Sequence, residues 1–369
     1  MTIGILKEPD HETRVSLLAE AVATLTKKNI TVLIETDAGA KAFCSNADYE
    51  KAGVQIKNRN EVLASSNIIL SIHPLESTDT SHLTSYILVG VYQPLFNADT
   101  MKQWASGNIT TFSLDMLPRT TRAQAMDVLS SQANIAGYKA VLTAANSYGR
   151  YFPMFMTAAG SIAPAKVLIL GAGVAGLQAI ATAKRLGAVV EVFDTRPAVK
   201  EEVISLGAKF IEVEGAADAS KAGGYAVEQS EDFMQRQKAK IAESIAKADI
   251  VITTAQIPGK KAPILITEEM IQAMRNGSVI IDLAAATGGN TPLTKNNETV
   301  NYNGVTIIGN SNLPSTMPSD ASKLYGKNVL NFLQLIVTKE GEINLNWEDD
   351  LVKGSCITHN GEITHERLK

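Results

Sequence analysis

Scarcity sets the first limits on this chain. In 369 residues there are two cysteines, Cys44 and Cys356. Two thiols cannot build a disulfide framework, and these match no metal-ligand spacing. The five histidines, His11, His73, His82, His359 and His365, are scattered, so no metal site is expected. No apolar run approaches the roughly 18 residues needed to cross a bilayer, and the chain opens on a strand-like run, TIGILKE. Both features predict a protein that is cytosolic, or peripheral to a membrane through a partner. A basic surplus is missing too: 34 Lys and Arg stand against 38 Asp and Glu, for a net charge of -4. With no basic, aromatic-rich patch, nucleic-acid binding is not expected.

What is present is an ordinary globular composition, 45% hydrophobic and 20% charged, long enough for two domains with separate cores. The most informative local pattern is residues 166–196, KVLILGAGVAGLQAIATAKRLGAVVEVFDTR. An apolar strand runs into Gly171-Ala-Gly173-Val-Ala-Gly176, an amphipathic helix follows to about Leu186, and Gly187 sits where a helix C′ residue is expected. A second strand then ends at Asp194. This is the start of a dinucleotide-binding βαβ unit. Gly171 permits the tight turn, Gly173 lets backbone approach a pyrophosphate at the helix N-terminus, and Gly176 lets helix and strand pack closely. Asp194 stands where a carboxylate accepts hydrogen bonds from ribose hydroxyls, and its charge favours NAD over NADP. Arg196 counts against that preference, since an arginine there can serve a 2′-phosphate. It can equally cover the adenine or be solvated.

Residues 2–115 alternate strand and helix patterns: TIGILKE, TVLIETDAG, NIILSIHPL, YILVGVYQP and ITTFSLDML read as strands. The alternation predicts a parallel, doubly wound sheet. No glycine fingerprint occurs in this half. Arg14, after the first strand, suits an anion or a salt bridge equally. Residues 123–145 have helical composition, and Gln124, Asp127, Ser130, Ser131 and Asn134 fall at helical steps as one polar stripe. A solvated helix face would give such a stripe. Its amide, acid and hydroxyl chemistry, starting beside Arg119 and Arg122, points instead to a ligand. Further on, residues 215–228 form a small-residue-rich loop carrying Tyr225, expected as a lid over a ligand or as a surface insertion. Gln256 and residues 285–289 follow strands on the side where a nicotinamide would lie. The tail begins with a helical pattern, ASKLYGKNVLNFLQLIV, and closes with short strands around INLNW and ITHNGEITH. The expected organisation is residues 1–122 with 320–369 as one discontinuous domain and residues 123–319, including the linking helix, as the other.

Four runs, RAQAMDVLSSQANIAGYKAV, GAGVAGLQAIATAKRLGAVVEVFDTR, ITTAQIPGKKAPILITEEM and SVIIDLAAATGGN, resemble the NAD(H)-binding alpha subunit of proton-translocating NAD(P) transhydrogenase. A weaker resemblance extends to alanine dehydrogenase. The likeness covers nearly the whole chain and implies two Rossmann-like doubly wound parallel-sheet domains with a cleft between them holding NAD(H). It implies Si/Re-specific, proton-translocating transhydrogenation, with NADP(H) on a partner beta subunit, a membrane-spanning proton-channel subunit and a homodimer. The location implied is cytoplasmic, peripheral to the inner membrane through those partners. By the same resemblance Arg119, Gln124, Asp127 and Ser130 hold the nicotinamide and its ribose. Val174, Asp194, Thr195 and Arg196 hold the pyrophosphate and adenosine, and Gly224 and Tyr225 belong to a closing loop. Gln256 departs from the family, which has leucine there.

The two relatives differ in chemistry. Oxidising an amino acid removes a proton as well as a hydride, which needs an acid or base and a carboxylate clamp. Of the arginine, lysine, histidine and aspartate that resemblance to alanine dehydrogenases would require, only Arg14 has a match; the others fall in LSIHP, at Val91 or Tyr92, and at Ala286. Direct hydride transfer between two nicotinamides needs only positioning and exclusion of water. The expected function is therefore the NAD(H)-binding component of a transhydrogenase. An amino-acid dehydrogenase is the alternative, and a catalytically silent NAD sensor or scaffold is a third reading.

Overall fold

The structure, a computed structural model, describes residues 1–80, 86–213 and 230–369. In chain order the strands are β1 (Thr2–Ile5), β2 (Thr31–Glu35), β3 (Gln55–Lys57), β4 (Ile68–Leu70), β5 (Ile87–Gly90) and β6 (Thr110–Ser113). A short hairpin follows, β7 (Phe155–Thr157) and β8 (Gly160–Ile162). Then come β9 (Lys166–Leu170), β10 (Val189–Phe193), β11 (Lys209–Phe210), β12 (Ile250–Thr253), β13 (Val279–Asp282), β14 (Thr299–Tyr302) and β15 (Val305–Ile308). The last two are β16 (Cys356–His359) and β17 (Glu362–Ile363). They form two compact units: residues 1–132 with 315–369, and residues 133–314.

In the first unit the sheet order is β17-β16-β6-β5-β4-β1-β2-β3. Strands β1 to β6 pair in parallel, and β16 and β17 add antiparallel at one edge. The order reverses at β1 and β4, as in a doubly wound fold. Alternating strand residues supply two separate cores. Ile68 and Leu70 pack with Val22, Tyr325 and Phe332 on one face. Ile69 and Leu88 pack with Val62, Met101 and Trp104 on the other. Strand β3 was not anticipated: its three residues, QIK, are too short to leave an alternation. Of the two strands expected in the tail, the second is present as β16 and β17. The INLNW region makes only a single bridge, Val337 to Ile343.

The second unit repeats the arrangement, β11-β10-β9-β12-β13-β15-β14, with β14 antiparallel at the edge. Val167, Ile169 and Ile250 face Ala179, Ile180 and Ala183 of the helix Val174–Arg185. Leu168, Leu170 and Val251 face Ile241 and Ile245 of the helix Glu231–Ile245. The fold is thus α/β, two Rossmann-like units built on mainly parallel sheets.

Candidate nucleotide site

In the second unit, β9 ends at Leu170 and the chain turns at Gly171, whose φ of +105° is one that side chains rarely adopt. A Cβ on Gly176 would lie 1.9 Å from the Gly171 carbonyl oxygen, so the helix Val174–Arg185 sits against the turn in a way only glycine permits. Gly173 is the N-cap of that helix, and a Cβ added to it would meet nothing within 4 Å. Open space before a helix N-terminus, where N–H groups lack intrahelical acceptors, fits a pyrophosphate. Val174 opens the helix and is exposed.

Asp194 follows β10, and its surroundings differ from the simple reading. Its Oδ2 accepts the Ala172 N–H at 2.7 Å and Arg196 Nη2 at 2.8 Å. Its Oδ1 accepts the Arg196 backbone N–H at 2.8 Å and Nε at 2.9 Å. A carboxylate has about four acceptor positions, and all are used within the chain. The expected ribose acceptor is, in this structure, an Arg196 acceptor. These bonds to Asp194 raise the Arg196 pKa and keep the guanidinium charged. Asp194 and Thr195 line a pocket together with Phe193, Pro197, Phe210 and Phe233, whose apolar rings suit a flat base.

The loops after β12 and β13 are fixed by two buried polar residues that sequence reading missed. Asp282 accepts N–H bonds from Ala284 at 2.9 Å and Asn290 at 2.6 Å, and the Thr294 hydroxyl at 2.6 Å. Asn290 in turn donates to the Ala255 and Pro263 carbonyls at 2.9 and 2.8 Å. Gln256 is exposed and donates its amide to the Leu283 carbonyl at 2.8 Å, so it ties one loop to the other. Gly224 and Tyr225 lie outside the described residues.

The remaining candidates sit in the first unit. The helix expected over residues 123–145 is two elements. Thr121–Met126 is a 3-10 turn, and the α-helix is Val128–Ser147. Between them Asp127 adopts an extended ψ of 90°. The break has a local cause. Asp127 accepts the Ser130 N–H at 2.9 Å and the Ser130 hydroxyl at 2.6 Å, which makes it the N-cap of the longer helix. The polar stripe is therefore not continuous: Gln124 belongs to the turn and Ser130 to the helix. Gln124 and Arg119 are exposed, while Asp127 and Ser130 are half-buried. The turn packs on the helix Pro318–Ile336 of the same unit, and Gln132 bonds Arg14 and the Ala321 carbonyl. Residues 123–132 thus fall with the first unit, not with the second where sequence placed them.

Arg14 proves to be part of a buried network. Glu12 is fully buried and accepts Arg14 Nε and Nη2 at 2.9 and 2.7 Å, His73 Nε2 at 2.8 Å and the Ser315 hydroxyl at 2.6 Å. Burial alone would push this carboxyl up, but the bonds from Arg14 and His73 outweigh it and hold the pKa far below the usual range. Arg14 Nη1 also donates to Gln132 at 2.8 Å. Of the two readings of Arg14, the salt bridge is the one observed. Nearby Glu8 has the opposite fate: burial raises its carboxyl to about 7, although the Ile72 and His73 N–H groups bond it. Among the described residues no group of three or more His, Cys, Asp and Glu is arranged to hold a metal ion.

Two doubly wound units, one carrying a glycine turn open to a pyrophosphate, define a Rossmann-type nucleotide-binding protein. Models described as alanine dehydrogenase/PNT, N-terminal domain, and alanine dehydrogenase/PNT, C-terminal domain, match residues 4–136 and 140–366. The chain belongs to this alanine dehydrogenase/PNT family. It is 44% identical over 372 residues to the first part of NAD(P) transhydrogenase subunit alpha from Rickettsia prowazekii, covering 99% of this chain and 96% of that protein. The crystal structure of transhydrogenase from Sinorhizobium meliloti superimposes with a TM-score of 0.90 at 42% identity, covering 98% of this chain and 100% of that one. Alanine dehydrogenase of Staphylococcus saprophyticus is more distant, 25% identical over 99% of this chain and 95% of its own. The family is one of nicotinamide-nucleotide oxidoreductases, and the transhydrogenase branch is favoured.

Proposed function

We propose that this chain is the NAD(H)-binding component of a proton-translocating transhydrogenase, acting with a partner subunit that holds NADP(H). Bound nicotinamide supplies the hydride. The residues of this chain supply position. The Val174 end of its helix and the Gly173 opening take the pyrophosphate, Asp194, Thr195 and Arg196 the adenosine. Gln124, Arg119, Asp127 and Ser130 orient the nicotinamide and its ribose, with Gly224, Tyr225 and Gln256 completing the set. The observation that carries the reading is Gln124: a neutral amide, exposed on a turn whose neighbours Ala123 and Met126 are buried. An amide can aim a carboxamide by hydrogen bonds but cannot take up a proton, and direct hydride exchange asks for aim alone.

The same reading includes assembly. The hairpin of β7 and β8 exposes Met154, Phe155 and Met156, and Tyr151 stacks on Phe155 with ring centroids 5.0 Å apart. A two-stranded hairpin with apolar faces is marginal in water, which supports a homodimer contact there. Among the described residues no helix is long and apolar enough to cross a membrane, so the membrane-spanning, proton-carrying part is assigned to a partner and the location to the membrane periphery.

The test is direct. The chain alone should bind NADH yet leave it unoxidised with pyruvate and ammonia. Adding the NADP(H)-binding subunit should start hydride exchange between an NADH analogue and bound NADP. Alanine-dependent reduction of NAD by the chain alone would move the assignment to an amino-acid dehydrogenase.

A further inference from the structure

We infer that Asn328 and Asn331 are positioning residues for hydride transfer, acting through the backbone that presents Gln124. Both amides donate to one atom, the carbonyl oxygen of Ala125, each at 2.9 Å. The two asparagines stand three apart on the helix Pro318–Ile336, a spacing that puts them on one face. Together they use both lone pairs of that carbonyl.

The carbonyl has no acceptor role in regular structure. Ala125 lies in the last turn of the 3-10 segment Thr121–Met126, where carbonyl groups lack intrahelical partners, and the chain then breaks at Asp127. Without the asparagines this turn would be held on the interior side by Ala123 and Met126 alone, and apolar contacts are non-directional. Two converging bonds fix rotation as well as distance. They do so one residue after Gln124 and two before Asp127.

Asparagine is a poor choice for a helix interior on its own account, since its short amide competes with the backbone. Asn328 is moreover buried, and its own Oδ1 finds no hydrogen-bond partner. A residue that leaves a buried acceptor unsatisfied in order to donate elsewhere points to a demand for that donation. A fixed Gln124 is that demand.

The positioning role depends on the one proposed for Gln124, and the experiment separates the two. The full chain carrying N328A and N331A together is assembled with the NADP(H)-binding subunit. Single-turnover hydride transfer to bound NADP and the Kd for NADH are measured in parallel. We expect transfer to slow at least 10-fold while the Kd changes less than 3-fold, with faster deuterium exchange of the amides of residues 124–127. N331Q, which keeps a donor, should recover much of the rate in the otherwise unaltered chain relative to N331A. Q124A is run beside them. If Q124A slows transfer and the double variant does not, the positioning role fails alone. If Q124A is without effect, the Gln124 reading fails and this one with it. Should the double variant lose NADH affinity and thermal stability in step with rate, the asparagines only hold the fold. If it does not fold, N331A against N331Q decides by the same split between rate and Kd.

Discussion

The carboxylate of Asp194 and the guanidinium of Arg196 close on each other, two residues apart, with Nε and Nη2 each bonded to a different oxygen at 2.9 and 2.8 Å. The acid that would exclude a 2′-phosphate and the base that would welcome one are thus paired. Selectivity depends on which of them meets the nucleotide.

Replacing Asp194 by alanine leaves Arg196 without its anion, and a planar guanidinium matches a phosphate. D194A should weaken NADH binding about 10-fold, roughly 1.4 kcal/mol, and should admit NADPH at comparable affinity. Fluorescence titration with both nucleotides measures this. Continued exclusion of NADPH would show that the pair does not set nucleotide choice.

Asp127 has a structural role that can be separated from its proposed contact with the cofactor. As N-cap of the helix Val128–Ser147 it bonds the Ser130 N–H. D127A should cost about 1 kcal/mol of stability in a denaturant titration. D127N keeps a capping oxygen and should stay close to the parent in stability, yet still slow hydride transfer. If D127N restores both, capping is the residue's whole contribution.

Glu8 makes the stability of the first unit depend on pH. Burial raises its pKa from 4.5 to about 7, so between those values the folded state holds a proton that the unfolded chain has released. Stability from this group therefore falls as pH rises from about 4.5 and levels off above about 7. The full range amounts to about 3 kcal/mol at most. E8Q should flatten this part of the profile and be more stable than the parent above pH 7. Thermal melts of both proteins at a series of pH values give the difference.

Charge placed on the exposed hairpin tests the assembly. F155D should leave the fold unchanged, since Phe155 is 43% exposed, while shifting sedimentation from dimer to monomer. A dimer that persists in F155D would place the contact elsewhere.

Much of the architecture was legible because it is written in short-range periodicity. Strands β1, β2, β4, β5 and β6, the glycine turn and the helix behind it depend on neighbours one to four residues apart. Gln124, Asp127 and Ser130 could be singled out in the same way, but their shared helix could not be trusted. Helical spacing is equally compatible with the capping bond from Asp127 to Ser130 that interrupts it. The Glu12 network left only a weak trace, an acid two residues before Arg14.

Local pattern and residue identity were enough for the doubly wound class, the place of the glycine turn and the family. They were not enough for the sharing of Glu12 by His73 and Ser315, or for the hold of Asn328 and Asn331 on Ala125. Those bonds span 61, 303, 203 and 206 residues. No periodicity links such distant positions; they meet only after the tail has folded back on the first sheet. The pairing of Asp194 with Arg196 is near in sequence but was also settled by the fold. A carboxylate and a guanidinium two residues apart can both face water, and it is the turn after β10, with the Ala172 N–H beside it, that closes them together.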